Sequence, residues 1–375
     1  MLFRSQFIIM MLIQCGGLGI MTLSTFAAIM LGRNIGLGHD YSLAEMVGAA
    51  GMRQMLRLVK FIGLATITIE ALGAVLLTVQ FLALGLPLRV SVWKGIFHAV
   101  SAFNNAGFAL QSDNLVCYAH QPGILVTISL LIVLGGLGFG VLYWLWEWPR
   151  GRAGKIGFQV ITVLVGTAVL LIGATLIFLA SEATHAFASF SWRDRIVNAW
   201  FCAVTPRTAG FNAILIEDLW PANRFITMLL MFIGVAPGST GGGIKITTVV
   251  VLLFTVRALM RGKHEVNGFG YALDAATVYR AGAVLTLCLL SCAVCVLVLL
   301  STQAMDMERL AFEAVSAFGT VGLSMSVTPH LTGMGKLAVL LLMYVGRVGP
   351  LTLMLSLSPM AQMRIRYPKA DVMIG

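Results

Sequence analysis

The chain has 375 residues, of which 59% are hydrophobic and only 11% are charged. Ordinary soluble domains are about 45–50% apolar and about 25% charged, so this composition excludes a soluble globular enzyme, a disordered chain and a disulfide-stapled secreted module. The apolar runs are continuous, whereas a membrane β-barrel would alternate apolar and polar residues. The sequence therefore predicts an all-α polytopic membrane protein.

Seven stretches are long and apolar enough to cross a membrane as a helix, which needs about 20 residues. They are 6–31, 61–86, 122–147, 157–180, 222–256, 280–302 and 332–362. Three shorter amphipathic stretches lie between them, at 92–105, 193–206 and 307–320. Each ends in a glycine-containing turn. This pattern predicts re-entrant segments that line a cavity, because irregular backbone at membrane depth must be shielded from lipid.

The charge distribution predicts the orientation of the chain. The net charge is +10, and 14 of the 25 basic residues fall in three alternate loops and the C-terminal tail, all on one predicted side. Basic loops mark the cytoplasmic side of membrane proteins. We therefore expect a multi-pass protein of the cytoplasmic (inner) membrane with its C-terminus in the cytoplasm. The basic excess then indicates contact with membrane lipids and not with nucleic acid.

An internal repeat organises the chain. The segments 97–103 (FHAVSAF) and 312–318 (FEAVSAF) each lead to a glycine ten positions after their first phenylalanine, at Gly107 and Gly322, and a looser copy leads to Gly210. A second glycine-rich element follows each copy, so the predicted unit is span, pore helix, glycine turn, span. Its boundaries divide the chain into 1–59, 60–156, 157–278 and 279–375.

The first unit is predicted to be incomplete. Residues 16–20 (GGLGI) nearly duplicate 135–139 (GGLGF) but follow no glycine turn of their own. By the repeat period that turn would lie about 12 residues before Met1. We expect a pseudo-fourfold arrangement around a central cation pore with the first repeat cut short. A misplaced start and a true truncation remain open, as does a non-conducting fragment or assembly subunit.

The predicted unit is the arrangement of cation channels. Backbone carbonyls in such filters replace the hydration shell of an ion, and glycine permits the conformations that direct them inward. The negative C-terminal end of a pore helix also favours a cation. No metalloprotease motif, nucleophile–base pair or pair of catalytic carboxylates is evident, so the sequence predicts that the protein is not an enzyme. The run 238–245 departs from a phosphate-binding loop because Ile244 separates the last glycine from Lys245.

A resemblance to a known family rests on five motifs. They are residues 13–22 (IQCGGLGIMT), 105–108 (NAGF), 205–212 (TPRTAGFN), 237–245 (PGSTGGGIK) and 346–350 (GRVGP). In this combination, over essentially the whole chain, the sequence resembles the TrkH/KtrB superfamily of potassium-uptake transporters. The shorter KtrB branch is the more similar of the two.

The resemblance implies three ion-filter turns in this chain, whose backbone carbonyls would bind potassium or sodium. Their residues are Asn105, Ala106, Gly107, Phe108, Thr208, Ala209, Gly210, Phe211, Thr320, Val321, Gly322 and Leu323. It also implies an intramembrane gate loop, about 236–248, beneath the filter and facing Arg347. The gate residues are Pro237, Gly238, Ser239, Thr240, Gly241, Gly242, Gly243, Lys245 and Arg347.

The resemblance further implies a homodimer that works with cytosolic nucleotide-binding regulatory subunits of the KtrA or TrkA type. Potassium would be the bound ion, with sodium as a second candidate, and no organic cofactor is implied. The function implied is channel-like potassium uptake driven by the membrane potential. A secondary cation symporter with broken helices is the alternative that the glycine and proline interruptions leave open.

Three charged residues at apparent membrane depth are further candidates. Lys245 and Arg347 would each cost about 2.5–3.5 kcal/mol on insertion scales, which favours functional roles for both. Lys245 could instead extend its side chain to the membrane interface. Glu70, in the middle of an apolar span, could brace a re-entrant segment through a hydrogen bond or contact the ion.

Overall fold

The computed structural model describes residues 3–31, 49–151, 156–263 and 265–349, and for helical residues 18–31 and 49–58 the description covers the backbone. The fold is almost entirely helical over this part of the chain. The α-helices in chain order are α1 Phe3–Leu31, α2 Ala49–Ala83, α3 Leu88–Phe103, α4 Pro122–Gly136, α5 Phe139–Glu147, α6 Phe158–Ser181, α7 Trp192–Val204, α8 Pro221–Phe232, α9 Ile246–Met260, α10 Ala275–Thr302, α11 Met307–Gly319 and α12 Gly333–Val348. Short 3-10 turns occur at Val116–Tyr118, Trp148–Arg150, Ile216–Asp218 and Thr328–His330.

Three of the described helices are long and apolar enough to cross a membrane unbroken. They are Val59–Ala83 within α2, all of α6 and all of α10. Only 22–28% of the most apolar part of each is buried inside the protein. Exposure of this much apolar surface to water would be strongly unfavourable in free energy, so these helices are suited to contact with lipid. The prediction of an all-α polytopic membrane protein agrees with these helices.

Two predicted spans are broken, 122–147 where the sequence predicts a continuous helix and 222–256 where it predicts an interruption. Stretch 122–147 forms α4 and α5, which meet at an angle of 98°. The break lies at Gly138, whose φ of +79° is incompatible with a right-handed helix. Stretch 222–256 forms α8 and α9, with irregular backbone between them at 233–245. The second half of stretch 332–362, the predicted cytoplasmic tail and basic residues Arg33, Arg152 and Lys155 lie outside the described residues.

The three predicted pore helices correspond to α3, α7 and α11. They have 16, 13 and 13 residues, which is too short to cross a bilayer. Each packs against the long helix that precedes it, α2, α6 and α10 respectively. Their C-terminal halves are the most buried part of the fold: every residue from Phe97 to Phe103 of α3 is buried. The short helices therefore lie inside, and the long apolar helices lie outside.

A small β-hairpin joins α9 to α10, which the sequence did not predict. Strands β1 Val266–Gly268 and β2 Tyr271–Leu273 pair antiparallel around a turn at Phe269-Gly270. Phe269 and Gly270 both have positive φ, at +51° and +81°. Rings from α6, α9 and the hairpin pack together here, so the hairpin is anchored to the helices.

Candidate ion-conducting site

The three predicted filter turns share one backbone conformation. Each has two residues with positive φ, separated by one residue: Asn105 and Gly107 at +51° and +73°, Thr208 and Gly210 at +67° and +77°, and Thr320 and Gly322 at +52° and +94°. A residue with a side chain enters this region at a cost of about 1–2 kcal/mol. The non-glycine member of each turn must therefore be held there by its surroundings.

A hydroxyl at or near the C-terminal end of each short helix holds the following glycine turn in place. The bonds run from Ser101 Oγ to the Phe108 carbonyl (2.8 Å), from Thr205 Oγ1 to the Phe211 carbonyl, and from the Gly322 amide to Ser316 Oγ (3.2 Å). These hydroxyls lie six or seven residues before the backbone groups that they contact. Each turn is thus folded back against the end of its own helix.

The structure brings the three turns together at one place. A β-carbon on Gly107 would lie 2.5 Å from the Ala209 carbonyl oxygen and 3.0 Å from the Gly210 Cα. A β-carbon on Gly210 would overlap the Val321 carbonyl oxygen. For Gly322 the nearest atom would be the Gly210 Cα, at 3.9 Å. The turns therefore touch through glycine backbone, with carbonyl oxygens at the junctions.

The side chains around the turns differ in exposure. Phe211 and Leu323 are buried, whereas Phe108 at the corresponding position is 51% exposed. Thr208 and Ala209 are fully buried, and Val321 is nearly so. Among the described residues, no group of histidine, cysteine and acidic side chains could hold a metal ion.

The predicted gate loop begins and ends earlier than the sequence suggests. The irregular backbone covers 233–245, not 236–248, because residues 246–248 already belong to α9. Its first half contacts the break between α4 and α5. The Ala236 amide donates to the Gly136 carbonyl at 3.2 Å, and the Phe139 amide donates to the Gly238 carbonyl at 3.2 Å. Each break therefore satisfies backbone groups that the other leaves without helical partners.

The second half of the loop contacts two of the filter turns and helix α12. The Gly242 amide donates to Thr320 Oγ1 at 3.0 Å. A β-carbon on Gly241 would overlap Thr208 Oγ1, so the loop lies against the non-glycine residues of two filter turns. Arg347 Nη1 on α12 donates to the Thr240 carbonyl. The loop, two filter turns and the predicted arginine therefore form one contiguous assembly.

Comparisons with known proteins show the family to which the chain belongs. The family model for TrkH, described as a cation transport protein, matches residues 3–364. The chain belongs to the TrkH family of cation transport proteins. It is 37% identical to the potassium/sodium uptake protein NtpJ of Enterococcus hirae, over 99% of this chain and 83% of NtpJ. It is 36% identical to the Ktr system potassium uptake protein B of Bacillus subtilis, with the same coverage. The crystal structure of TrkH from Vibrio parahaemolyticus has the same fold, with a TM-score of 0.71, 20% identity, and coverage of 93% of this chain and 71% of that one.

Membership of the TrkH family decides the class of protein. The chain is a multi-pass membrane transporter, as the apolar helices also indicate, and not an enzyme. The predicted resemblance to the TrkH/KtrB superfamily is confirmed. Its KtrB side is supported by relatives of the Ktr system at 31–36% identity.

Arg207 of this TrkH-family protein is a site residue that sequence reasoning missed. It lies between Pro206 and Thr208, directly before the filter turn at 208–211, and is only 4% exposed. Its Nη2 donates to the Gly234 carbonyl at the start of the loop, at 3.2 Å. Nε and Nη1 are buried without a hydrogen-bond partner among the described residues. The available signal was a charged residue within the motif 205–212, of which only the glycine turn was interpreted.

Asn114 is a second site residue with a contact that the sequence does not reveal. Its Nδ2 lies 3.5 Å from the carbonyl oxygens of both Gly107 and Gly210, so it bridges two filter turns. Its Oδ1 accepts from the Asn212 amide at 3.4 Å. The sequence alone places Asn114 only in the loop that follows the turn at 105–108.

Two buried carboxylates brace the turns from the sides. Glu70 accepts a hydrogen bond from Asn104 Nδ2 at 2.8 Å, directly at the C-terminus of α3. Glu313 on α11 accepts from Ser324 Oγ at 2.7 Å and from Thr328 Oγ1. The hydrogen bond from Asn104 is the contact that the bracing interpretation of Glu70 requires.

Proposed function

We propose that this chain takes up potassium across the cytoplasmic membrane by channel-like conduction driven by the membrane potential. The ion would pass along the backbone carbonyls of the three filter turns, 105–108, 208–211 and 320–323. Each 100 mV supplies about 2.3 kcal/mol per charge, enough for roughly 50-fold accumulation of a monovalent cation. This chain would therefore need no chemical energy source of its own.

The observation that carries the proposal is the contact between the three glycine turns. They come from distant parts of the chain, yet glycine backbone from one lies against carbonyl oxygen from the next. The helices α3, α7 and α11 end at these turns, so their negative ends face the same place. Carbonyl oxygens at a junction of helix C-termini suit a poorly hydrated monovalent cation.

The gate in this proposal is the loop between α8 and α9, with its neighbour Arg347. The loop contains Pro237 and the glycines of 238–243, which cannot sustain a helix. Two sets of contacts support this role. On one side the loop lies against Thr208 and Thr320, and on the other its Thr240 carbonyl accepts a hydrogen bond from Arg347. A displacement of the loop would therefore open the space next to the filter turns.

The regulatory part of the proposal rests on the relatives. The name "Ktr system", which these relatives carry, indicates a transport system with several protein components. We infer that this chain forms a homodimer that binds cytosolic nucleotide-binding subunits of the KtrA or TrkA type. The predicted orientation, with basic loops and C-terminus in the cytoplasm, would present those loops to such subunits.

Flux measurements on the purified chain in liposomes test the proposal. An imposed negative-inside potential should drive uptake of potassium, and of its analogue rubidium, in clear preference to sodium. The NtpJ relative is named for both ions, so sodium is measured in parallel. Absence of flux from correctly folded, inserted protein would favour the non-conducting alternative. Slow saturable uptake that strictly requires a co-transported ion would favour the symporter.

A further inference from the structure

A basic cavity lies outside the conduction path, between the end of α9 and the β-hairpin. Its volume is about 270 Å³, and its polar lining comes from both elements. The residues that the argument uses are Arg257, Arg261, Lys263, Glu265 and Asn267. Three of these are cationic and one is anionic, so the lining has a net positive charge.

The three cations have free hydrogen-bonding capacity. All three side chains are exposed, and within the described ranges none of them takes part in an ion pair. Arg257 in the last turn of α9 and Arg261, the residue that caps its C-terminus, are four residues apart and line the same cavity. Lys263 lies three residues after the helix end at Met260. Two guanidinium groups and an ammonium group can therefore address a single anion in the cavity.

The wall opposite these cations is fixed in place. Phe269 at the hairpin turn packs edge-on against Phe254 of α9, with ring centroids 5.1 Å apart. A β-carbon on Gly268 would lie 2.5 Å from the Phe254 ring, so only glycine allows this approach. The Tyr271 hydroxyl donates to the Ile156 carbonyl at 2.7 Å. The cavity is thus a built feature and not a gap beneath a loose loop.

The surface next to the cavity is apolar and unpartnered. Leu253, Val256 and Met260 on α9 are 62%, 53% and 83% exposed. Leu253 lies one helical turn before Arg257 and therefore on the same face. In a membrane protein, a change from exposed apolar to basic side chains along one helix marks the level of the lipid headgroups.

We propose that this cavity binds the phosphate group of an anionic phospholipid. The headgroup phosphate would lie among Arg257, Arg261 and Lys263, and an acyl chain would lie along Leu253 and Val256. Arginine binds phosphate oxygens through two parallel N–H groups. In a zwitterionic headgroup the ammonium group would weaken the attraction between arginine and the phosphate. A soluble phosphate compound shares the phosphate chemistry but would leave the apolar face uncovered.

Lipid binding to the purified full-length chain tests this site. The probes are phosphatidylglycerol, phosphatidylcholine and inorganic phosphate, added to delipidated protein and measured by native mass spectrometry. We expect phosphatidylglycerol to bind in preference to phosphatidylcholine. In the double variant Arg257→Gln/Arg261→Gln its affinity should fall roughly 30-fold, the effect of two basic residues at a membrane surface.

Two further variants separate the site from general charge and folding. Arg150→Gln is the matched control, because Arg150 is also exposed but stacks on Trp146 at 3.9 Å and does not line the cavity. It should bind phosphatidylglycerol as the unmodified chain does. Arg261→Lys retains the charge but loses the paired N–H groups, so its loss should be intermediate.

The outcomes are distinct. A loss confined to the cavity variants supports the proposal. Equal losses in the Arg150 control, or no preference for phosphatidylglycerol in the unmodified chain, would overturn it. Displacement of the lipid by millimolar inorganic phosphate would assign the cavity to a soluble phosphate compound, contrary to the proposal. Each binding experiment is accompanied by the melting temperature of the variant, since a folded variant is required.

Discussion

The contact between the filter turns at 208–211 and 320–323 allows a graded test of the filter with three glycine-to-alanine variants. In Gly210→Ala, the new β-carbon would overlap the Val321 carbonyl oxygen, in a residue with φ of +77°. In Gly322→Ala, φ is +94°, but the nearest atom would be 3.9 Å away, an ordinary contact. Gly173→Ala on α6 is the control, because nothing lies within 4 Å and its φ is ordinary.

The structure gives the expected order of effects. The left-handed conformation alone costs alanine about 1–2 kcal/mol, which is roughly 5- to 30-fold in the population of the intact turn. Gly322→Ala should lose potassium-over-sodium selectivity by about this factor. Gly210→Ala must in addition displace the Val321 carbonyl, so its total should reach about 2–3 kcal/mol, or roughly 30- to 150-fold. Gly173→Ala should leave selectivity unchanged.

The assay is the potassium-to-sodium flux ratio in liposomes at a fixed potential, with the melting temperature as a check on folding. The order Gly210, Gly322, Gly173 is the decisive result. If Gly210→Ala folds and retains full selectivity, the turns do not select the ion. If all three variants lose selectivity equally, the loss comes from general destabilisation and the argument from contact geometry is wrong.

Three further predictions concern the surroundings of the filter. Deletion of 238–243 should raise potassium flux if this loop is the gate, and unchanged or lower flux in a folded deletion would contradict that role. Asn114→Ala removes three long bonds, two to the carbonyls of Gly107 and Gly210 and one from the Asn212 amide, so ion selectivity should fall by less than about 5-fold in the flux-ratio assay. Glu313→Gln replaces a charged acceptor by a neutral one, so chemical denaturation should show a loss of about 1–2 kcal/mol, and no loss would refute its bracing role.

The glycine turns were predictable because their requirement is local. A left-handed position in the turn after a short helix favours glycine, and the repeat places a glycine three to six residues after the end of each helix. The other left-handed residue of each turn was not predictable. Asn105, Thr208 and Thr320 adopt φ values of +51° to +67° although glycine would do so more easily. Contacts from the loop at Thr208 and Thr320 hold them, and such contacts arise only in the folded chain.

The break in stretch 122–147 shows why a local pattern alone is insufficient. Residues 16–20 and 135–139 have nearly the same sequence, GGLGI and GGLGF. The first lies within the unbroken helix α1, and the second contains the 98° bend between α4 and α5. The bend exposes backbone groups, which the loop satisfies through the hydrogen bonds of Ala236 and Gly238. The same glycines can therefore permit a bend or a helix, and tertiary hydrogen bonds decide between them.

The charges at membrane depth have a common explanation in the broken helix between α8 and α9. Each of three cations donates to one carbonyl of the loop: Arg207 to Gly234, Arg347 to Thr240, and Lys245 to Gly241. A buried carbonyl without a partner costs about 1–3 kcal/mol, and lipid offers none. The cations thus stabilise irregular backbone that would otherwise be excluded from this depth. Arg207 directly precedes the filter turn at 208–211, Arg347 belongs to α12, and Lys245 belongs to the loop itself. Any movement of the loop relative to these elements must therefore break these hydrogen bonds or replace them. Their strength therefore sets both the stability of the loop and the free energy needed to move it.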